Sequence, residues 1–281
     1  MKKYRFYIEG NKETDFPVGS LVPLAPEESH HLCHVLRIPK GGVIYAFDGF
    51  GRELEAIVES VQPEKVLVRI KGVCSGQGSE TGGGSAESAP AISLGVPFLK
   101  SDKLETVFRM ATQLGVLRFH VFVSHRCVSR PEPGVLEKKR KRWERIILES
   151  VRISGRAMMP GISFHDSLDS LLKEIPPGSR AILAFEGKGL PLLSRAISEM
   201  KKEAGLKQAS PRSASYGEKP PASVQNSICF ITGPEGGFTA KEIETAEKNK
   251  VILCSLGDKI LKAETAPIAA IAAIRALLGD M

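Results

Sequence analysis

Residues 231–238 read Ile-Thr-Gly-Pro-Glu-Gly-Gly-Phe, and this stretch lies between a short apolar run and the start of a helix. The apolar run at residues 227–231 predicts a buried strand. Thr239, followed by Glu242 three residues later, is typical of a capping box at a helix N-terminus. Open α/β sheets bind ligands where strands end and helices begin. The stretch therefore predicts an α/β fold with a small-molecule pocket at this loop.

The loop residues themselves favour close contact with a ligand. We expect Gly236 and Gly237 to adopt left-handed backbone angles that bring the main chain near a ligand. Pro234 stiffens the turn, so fewer conformations are lost on binding. Glycine turns are common, however, and the loop alone is equally compatible with an ordinary strand-to-helix connection.

A second segment, near the C-terminus, favours the pocket. Residues 251–253 predict another strand, and residues 254–267 read Cys-Ser-Leu-Gly-Asp-Lys-Ile-Leu-Lys-Ala-Glu-Thr-Ala-Pro. An alanine-rich apolar helix then runs to about Leu278, with Thr265 as its expected N-cap and Pro267 in its first turn.

Both segments resemble the cofactor loops of the SPOUT-class 16S ribosomal RNA uracil-N3 methyltransferases, the ribosomal small-subunit methyltransferase E family. The family motifs GPEGG-F and SLG-x-x-IL-x-x-ETA occur here in that order, at residues 233–238 and 255–266. The resemblance implies an α/β domain with a parallel sheet, tied in a deep trefoil knot. It implies S-adenosyl-L-methionine as the cofactor and requires no metal.

The resemblance extends along essentially the whole chain. His-Leu-Cys-His-Val-Leu-Arg at residues 31–37 and Phe-Asp-Gly at 47–49 look like signatures of the family's small PUA-like β-barrel domain, which binds RNA. Further elements follow the family in order: Lys100, Lys103, residues 111–116, residues 124–127 and residues 154–156.

The residues and the resemblance together assign three groups of site residues. The expected cofactor-binding residues are Phe185, Thr232, Gly233, Pro234, Glu235, Gly236, Gly237, Ser255, Leu256, Gly257, Ile260, Leu261 and Ala266. The expected RNA-binding residues are His31, Arg37, Lys100, Lys103, Arg126, Lys138, Lys139, Arg140 and Arg156. The catalytic candidates are Lys262, Glu264 and Arg156.

The catalytic candidates follow from the chemistry of uracil, whose N3 must lose a proton before it accepts a methyl group. A nearby cation would stabilise the anionic base, and Lys262, Arg156 and Arg126 are candidates for that cation. Glu264 is the alternative proton acceptor, although a structural role between the helix end and a lysine is also open. Lys262 stands where the family usually has arginine, so the target nucleotide is open as well.

Composition indicates a globular protein with an anionic partner. The 281 residues, 42% of them hydrophobic, suffice for one large domain and one small domain. The formal net charge is +7, and positive residues concentrate in Lys-Lys-Arg-Lys-Arg at residues 138–142. This block predicts contact with an RNA backbone, with a solvated helix face as the alternative.

The chain carries no signal for export or for a membrane. Its start leads from Met1-Lys2-Lys3 directly into Tyr4-Arg5-Phe6-Tyr7-Ile8, without a signal-like apolar region. The five cysteines are odd in number, scattered and without C-x-x-C spacing, which is typical of reduced thiols. We therefore expect a cytoplasmic protein.

Two low-complexity stretches divide the chain. Residues 75–90 predict a flexible linker between a PUA-like domain at 1–74 and a SPOUT methyltransferase domain at 91–281. Residues 207–225 predict an insertion that need not be ordered.

The expected strands of the small domain lie at residues 43–47, 54–58 and 65–70. Those of the large domain lie at 91–96, 119–123, 181–185, 227–231 and 251–253, and they alternate with helices, which predicts a parallel sheet with helices on both faces.

Three helices carry further expectations. Apolar residues from Leu104 to Leu114 recur at helical spacing and predict a core-facing stripe, with Asp102 and Glu105 as cap and capping partner. A helix at residues 137–154 carries the basic block. The C-terminal helix is apolar around nearly its whole circumference, which predicts a homodimer, with burial inside one knotted monomer as the alternative.

Other classes of function fit the sequence less well than a methyltransferase. His30, His31 and His34 could present two imidazoles to a metal, but no carboxylate or thiolate set completes such a site. A dehydrogenase or P-loop enzyme would need a G-x-G-x-x-G or G-x-x-x-x-G-K-[ST] loop, and neither occurs. An RNA-binding SPOUT paralogue with a different target or little activity remains the alternative.

Overall fold

The computed structural model describes residues 3–11, 13–62, 65–76, 90–130, 133–203, 227–279 and 281. The chain divides into two compact units, Met1–Ser85 with Val151–Met159, and Ala86–Ser150 with Pro160–Met281. The sequence did not indicate that residues 151–159 return to the first unit. The expected insertion at 207–225 lies outside the described residues, and so does most of the expected linker at 75–90.

The first unit contains a five-stranded sheet in the order β1-β3-β4-β5-β2. Its strands are β1 (Arg5–Tyr7), β2 (Leu21–Pro23), β3 (Val43–Phe47), β4 (Arg52–Gln62) and β5 (Lys65–Gly76). β1 pairs with β3 in parallel and every other pair is antiparallel. The expected strands at 43–47, 54–58 and 65–70 are confirmed as β3, β4 and β5. β1 and β2 were not predicted, because three residues are too few for an alternating pattern.

A short helical segment completes the first unit. Helix α1 (Pro26–His30) continues into a π-helical turn (His31–Leu36), which ends at Arg37 with φ at +52°. Leu32 from this turn is fully buried in the core with Phe6 of β1. The segment 151–159 is held by hydrogen bonds from Arg5, whose guanidinium donates to the carbonyl oxygens of Val151 and Arg156.

The second unit contains a six-stranded sheet in the order β11-β9-β10-β6-β7-β8, with every pair parallel. Its strands are β6 (Ile92–Pro97), β7 (Arg118–Phe122), β8 (Gly161–His165), β9 (Arg180–Ala184), β10 (Ile228–Ile231) and β11 (Ile252–Cys254). The five strands expected in this part of the chain are confirmed, each within one residue of its expected bounds. β8 was missed, because it is a half-exposed edge strand without a continuous apolar run.

Helices cover the parallel sheet on both faces. They are α2 (Ser101–Gln113), α3 (Pro133–Ser154), α4 (Leu168–Glu174), α5 (Leu193–Glu203), α6 (Ala240–Lys248) and α7 (Thr265–Leu278). α4 packs with α6, whereas α2 and α5 each pack with α7. All four residues of β10 are buried, although they alternate between the two faces. The expected parallel sheet with helices on both faces is therefore confirmed.

Several local expectations can be compared with the helix ends. The capping box of Thr239 and Glu242 is present at the start of α6. The cap proposed for α2 is wrong, because Lys100 occupies the N-cap position and the Glu105 carboxylate pairs instead with Arg142 at 2.8 Å. The N-cap of α7 is Glu264 rather than Thr265, which is the first residue of the helix.

Candidate functional site

Three strand ends meet at one edge of the parallel sheet. In the order β11-β9-β10, Leu183 of β9 lies opposite both Leu253 of β11 and Ile231 of β10. The three strands therefore end side by side, and the chain leaves them at Phe185, Thr232 and Ser255. These residues begin the segments that the sequence assigned to cofactor binding, which are far apart along the chain and become neighbours only through the sheet order.

Main-chain hydrogen bonds hold the segment after β11. The Ser255 amide donates to the Pro191 carbonyl at 2.9 Å, and the Leu193 amide donates to the Ser255 carbonyl at 3.0 Å. The Gly257 amide donates to the Ser255 hydroxyl oxygen at 3.1 Å. The Lys262 carbonyl then accepts from the amides of Thr265 and Ala266, which starts α7. The segment is thus anchored at both ends.

The glycine-rich loop after β10 is anchored by Arg126. Its guanidinium donates to the Gly236 carbonyl at 2.9 Å, and a Cβ at Gly236 would lie 3.1 Å from the Cβ of Arg126. Left-handed backbone is present at Gly237, with φ at +68°, but not at Gly236. The expectation of left-handed angles at both glycines is therefore wrong for Gly236, where close packing against Arg126 is the reason for glycine.

The site offers groups that fit a small ligand with polar and apolar parts. Thr232 is buried, yet its hydroxyl oxygen has no hydrogen-bond partner among the described residues. A Cβ built at Gly237 or Gly257 would meet nothing within 4 Å, so both loops have open space beside the backbone. Ile260 is 83% exposed, more than any other large apolar side chain among the described residues. A ligand with an apolar ring and hydroxyl groups would satisfy both the orphan hydroxyl and the exposed side chain.

Charged residues connect the two loops. The Lys103 ammonium, on the first turn of α2, lies 2.9 Å from Glu235 Oε1 and 3.7 Å from Glu264 Oε2. Burial raises the pKa of Glu235, but the hydrogen bond from Lys103, a backbone hydrogen bond and the charges of Lys103 and Lys100 together outweigh it, so this pKa lies below its usual value. Lys262, the expected cation, is exposed. The catalytic candidates Lys262 and Glu264 both belong to the segment between β11 and α7. Arg156 belongs to the first unit.

The expected RNA-binding residues are divided between the two units. His31, Arg37 and Arg156 belong to the first, where His31 packs edge-on against Phe6. Burial lowers the pKa of His31, with further lowering by the positive charge of Arg152.

In the second unit, the basic residues of α3 lie at the surface. Lys138 and Arg140 are exposed, Lys139 is half-buried, and Arg140 pairs with Glu144 one turn later at 2.9 Å. Lys100 is also exposed. Arg126 and Lys103 differ from these residues, because both contact the glycine-rich loop, at Gly236 and at Glu235 respectively.

Sequence reasoning missed one polar network next to the site. Glu242 accepts hydrogen bonds from the Ser124 hydroxyl at 2.7 Å and from the His125 amide at 3.1 Å, in addition to its bonds with Thr239. The capping-box pattern identified Glu242, but no sequence signal connected it to residues 124 and 125. The network borders an open cleft of about 470 Å³ between the ends of β7 and β8 and the starts of α4 and α6.

The described parts of the chain contain neither a metal-binding cluster nor a helix that could span a membrane. No cluster of three or more histidine, cysteine, aspartate or glutamate side chains suited to a metal ion occurs there. His30 and His34 do lie together, with ring centroids 4.6 Å apart. Among the described helices, none has the length and apolarity required to cross a membrane.

Comparison with known families matches both parts of the chain. Residues 86–275 match the RNA methyltransferase domain, and residues 24–71 match the RNA methyltransferase PUA domain. The first match contains all three strand ends of the site.

Individual proteins match over nearly the full length. Ribosomal RNA small subunit methyltransferase E from Mesomycoplasma hyopneumoniae is 32% identical, covering 94% of this chain and 96% of its own. The protein of the same name from Bacillus subtilis is 28% identical, covering 96% and 95%. The crystal structure of a ribosomal RNA small subunit methyltransferase E from Neisseria gonorrhoeae, bound to S-adenosyl methionine, superposes with a TM-score of 0.75 at 25% identity, covering 98% of each chain.

Proposed function

The chain belongs to the ribosomal RNA small subunit methyltransferase E family, and from this premise we propose that it methylates N3 of a uridine in 16S ribosomal RNA with S-adenosyl-L-methionine. We propose further that its second unit is tied in the trefoil knot of SPOUT methyltransferases. The observation that carries the proposal is the meeting of three strand ends beside the orphan hydroxyl of Thr232.

The cofactor would be held mainly by backbone groups and shape. Gly233 to Gly237 and Ser255 to Leu261 supply amides and carbonyls on two sides of the site, and Thr232 supplies a hydroxyl with unused hydrogen-bonding capacity. The exposed side chain of Ile260 would pack on the adenine ring. When bound, S-adenosyl-L-methionine supplies a methyl group that its sulfonium makes electrophilic, so the chain itself must orient the uracil and stabilise its charge.

Lys262 is the proposed group that stabilises the uracil anion. Its side chain is exposed at the second loop, and a cation near the base favours loss of the N3 proton. Glu264 is less suited to accept that proton, because its carboxylate already lies 3.7 Å from the Lys103 ammonium as an ion-pair partner. Arg156 remains a candidate from its sequence motif.

Ribosomal RNA would contact positive residues of both units. The exposed Lys138 and Arg140 support a phosphate contact along α3.

The working form would be a cytoplasmic homodimer. Ala269 and Ala276 of α7 are exposed in the single chain, and small side chains permit close packing of a second helix. A two-fold partner would cover this face.

Mass mapping of modified uridines tests the proposal. Small-subunit RNA from cells lacking the protein should lose one N3-methyluridine, and the wild-type gene should restore it. A Gly236→Val gene, which fills the space beside Arg126, should not restore it. An unchanged map of methylated uridines in the deletion strain would refute the assignment of the target.

A further inference from the structure

Lys103 stands out among the expected RNA-binding residues, because its partners in the fold are two carboxylates. Its ammonium donates a hydrogen bond to Glu235 Oε1 at 2.9 Å and lies 3.7 Å from Glu264 Oε2. The two glutamates are about thirty residues apart along the chain, and each belongs to a different cofactor loop. Lys103 itself comes from a third element, the first turn of α2.

The arrangement leaves each partner dependent on the lysine. Glu264 Oε2 is buried and accepts no hydrogen bond among the described residues, so the charge of Lys103 is what compensates it. Side-chain exposures of 28% for Lys103, 27% for Glu235 and 21% for Glu264 put the cluster in a partly desolvated position. Ion pairs in such positions are screened less than those at an open surface.

The titration behaviour agrees with the geometry. The hydrogen bond to Glu235 raises the pKa of Lys103, and the charges of Glu235, Glu264 and Asp102 raise it further against the effect of desolvation. Lys103 and Lys100 together lower the pKa of Glu235. Lys103 therefore already has two anionic partners, and a phosphate would have to compete with them for its ammonium.

We propose that Lys103 is a positioning residue that holds the glycine-rich loop and the loop before α7 together, and so sets the cofactor affinity. This inference rests on the proposed function, because it assigns a role within the same site. It replaces the expectation that Lys103 contacts RNA. The ammonium links Glu235 to Glu264, and loss of that link leaves two carboxylates that repel each other across the site.

Calorimetric titration with S-adenosylhomocysteine, the demethylated cofactor, tests the role of Lys103. Lys103→Met should weaken binding roughly three- to tenfold, the range expected for loss of one or two partly exposed ion pairs. Lys103→Arg should recover most of the affinity, because a guanidinium can also bridge two carboxylates. The matched control is Lys173→Met, which breaks a 2.6 Å ion pair with Asp169 within α4 and leaves Lys103 and both glutamates unchanged. It should leave the affinity unchanged.

Coupling between residues separates this role from a merely structural one. Glu235→Gln should also weaken binding. The double variant with Lys103→Met should bind no worse than Lys103→Met alone, because both changes remove the same pair and the second also removes the repulsion between the carboxylates. Glu235→Gln keeps the size of the side chain, so it provides the test if Lys103→Met fails to fold. Additive losses in the double variant would count against the link.

RNA binding supplies the second readout. The salt slope of RNA affinity should be the same for Lys103→Met and wild type, whereas a lysine that contacts a phosphate would reduce the slope by about one unit on removal. A folded Lys103→Met variant with wild-type cofactor affinity overturns the inference. If the wild-type protein itself did not bind S-adenosylhomocysteine, the proposed function would fail first, and the two failures are thus distinguishable.

Discussion

Arg126 and Gly236 are in close contact at the glycine-rich loop. The guanidinium of Arg126 donates to the Gly236 carbonyl at 2.9 Å, while a Cβ at position 236 would come within 3.1 Å of the arginine Cβ and 3.4 Å of its Cδ. The loop is therefore held by an arginine that leaves no room for a side chain at this glycine.

This contact predicts the effect of filling the space at Gly236. Gly236→Val should reduce S-adenosylhomocysteine affinity below detection in calorimetry, because the branched side chain forces the loop and Arg126 apart. Gly72→Val is the matched control, since a Cβ there meets nothing within 4 Å and its φ is not positive. Unchanged affinity for S-adenosylhomocysteine in a folded Gly236→Val protein would contradict the assignment of this loop to cofactor binding.

A pair of buried histidines predicts a loss of stability in acid. His120 Nδ1 and His165 Nε2 lie 3.0 Å apart on neighbouring strands of the parallel sheet. Burial lowers the pKa of His120 from 6.5 to about 3, with smaller contributions from His165 and Arg118. Below pH 6.5 the unfolded chain takes up the proton and the folded chain does not, so stability is full above that pH and is lost progressively towards pH 3.

The change His120→Asn should flatten this dependence, because asparagine keeps a hydrogen-bonding group near the position of Nδ1 without titrating. Wild type should lose up to about 1.4 kcal/mol more per pH unit than the variant as the pH falls below 6.5. Urea unfolding at several pH values between about 7 and 5 measures the difference. Parallel curves for the two proteins would contradict a neutral, buried His120.

The basic block of α3 predicts a salt-dependent contact with RNA. Replacing Lys138, Lys139, Arg140 and Lys141 with glutamine should weaken RNA binding and reduce the salt slope by about one unit for each phosphate that the variant can no longer bind. Cofactor affinity should not change. A variant with Lys173, Lys202, Lys241 and Lys248 changed to glutamine removes the same four charges elsewhere and controls for net charge alone. Equal salt slopes of RNA affinity in wild type and the α3 variant would indicate that the basic block is a solvated helix face without RNA contact.

The exposed face of α7 predicts a dimer interface. Light scattering at micromolar concentration should give twice the chain mass of 30.4 kDa for wild type. Ala269→Glu should give the monomer mass, because the new carboxylate would be buried without a partner, while Ala240→Glu on α6 should remain dimeric. A monomeric wild-type protein with full methyl transfer would show that dimerisation is not required.

The sequence predicted most of the architecture because its strong signals are local. β10 is a continuous apolar run and β6 is mainly apolar, and the Thr239–Glu242 capping box starts α6 as expected. Where the local signal is weak, prediction failed. β8 is half-exposed, and Glu105 matched a capping pattern although its carboxylate pairs with Arg142, 37 residues further along the chain.

The sequence by itself determined which loops belong to the site, because glycine, proline and helix caps act through the backbone conformation of their own segment. Only the tertiary structure decided what those loops contact. Lys103 looked like one more positive residue, yet the fold pairs it with Glu235 and Glu264. The reason for glycine at position 236 is likewise a distant side chain, Arg126, rather than its own backbone angle. Such pairings depend on which strands lie side by side, and the order β11-β9-β10 is set by packing of the whole sheet.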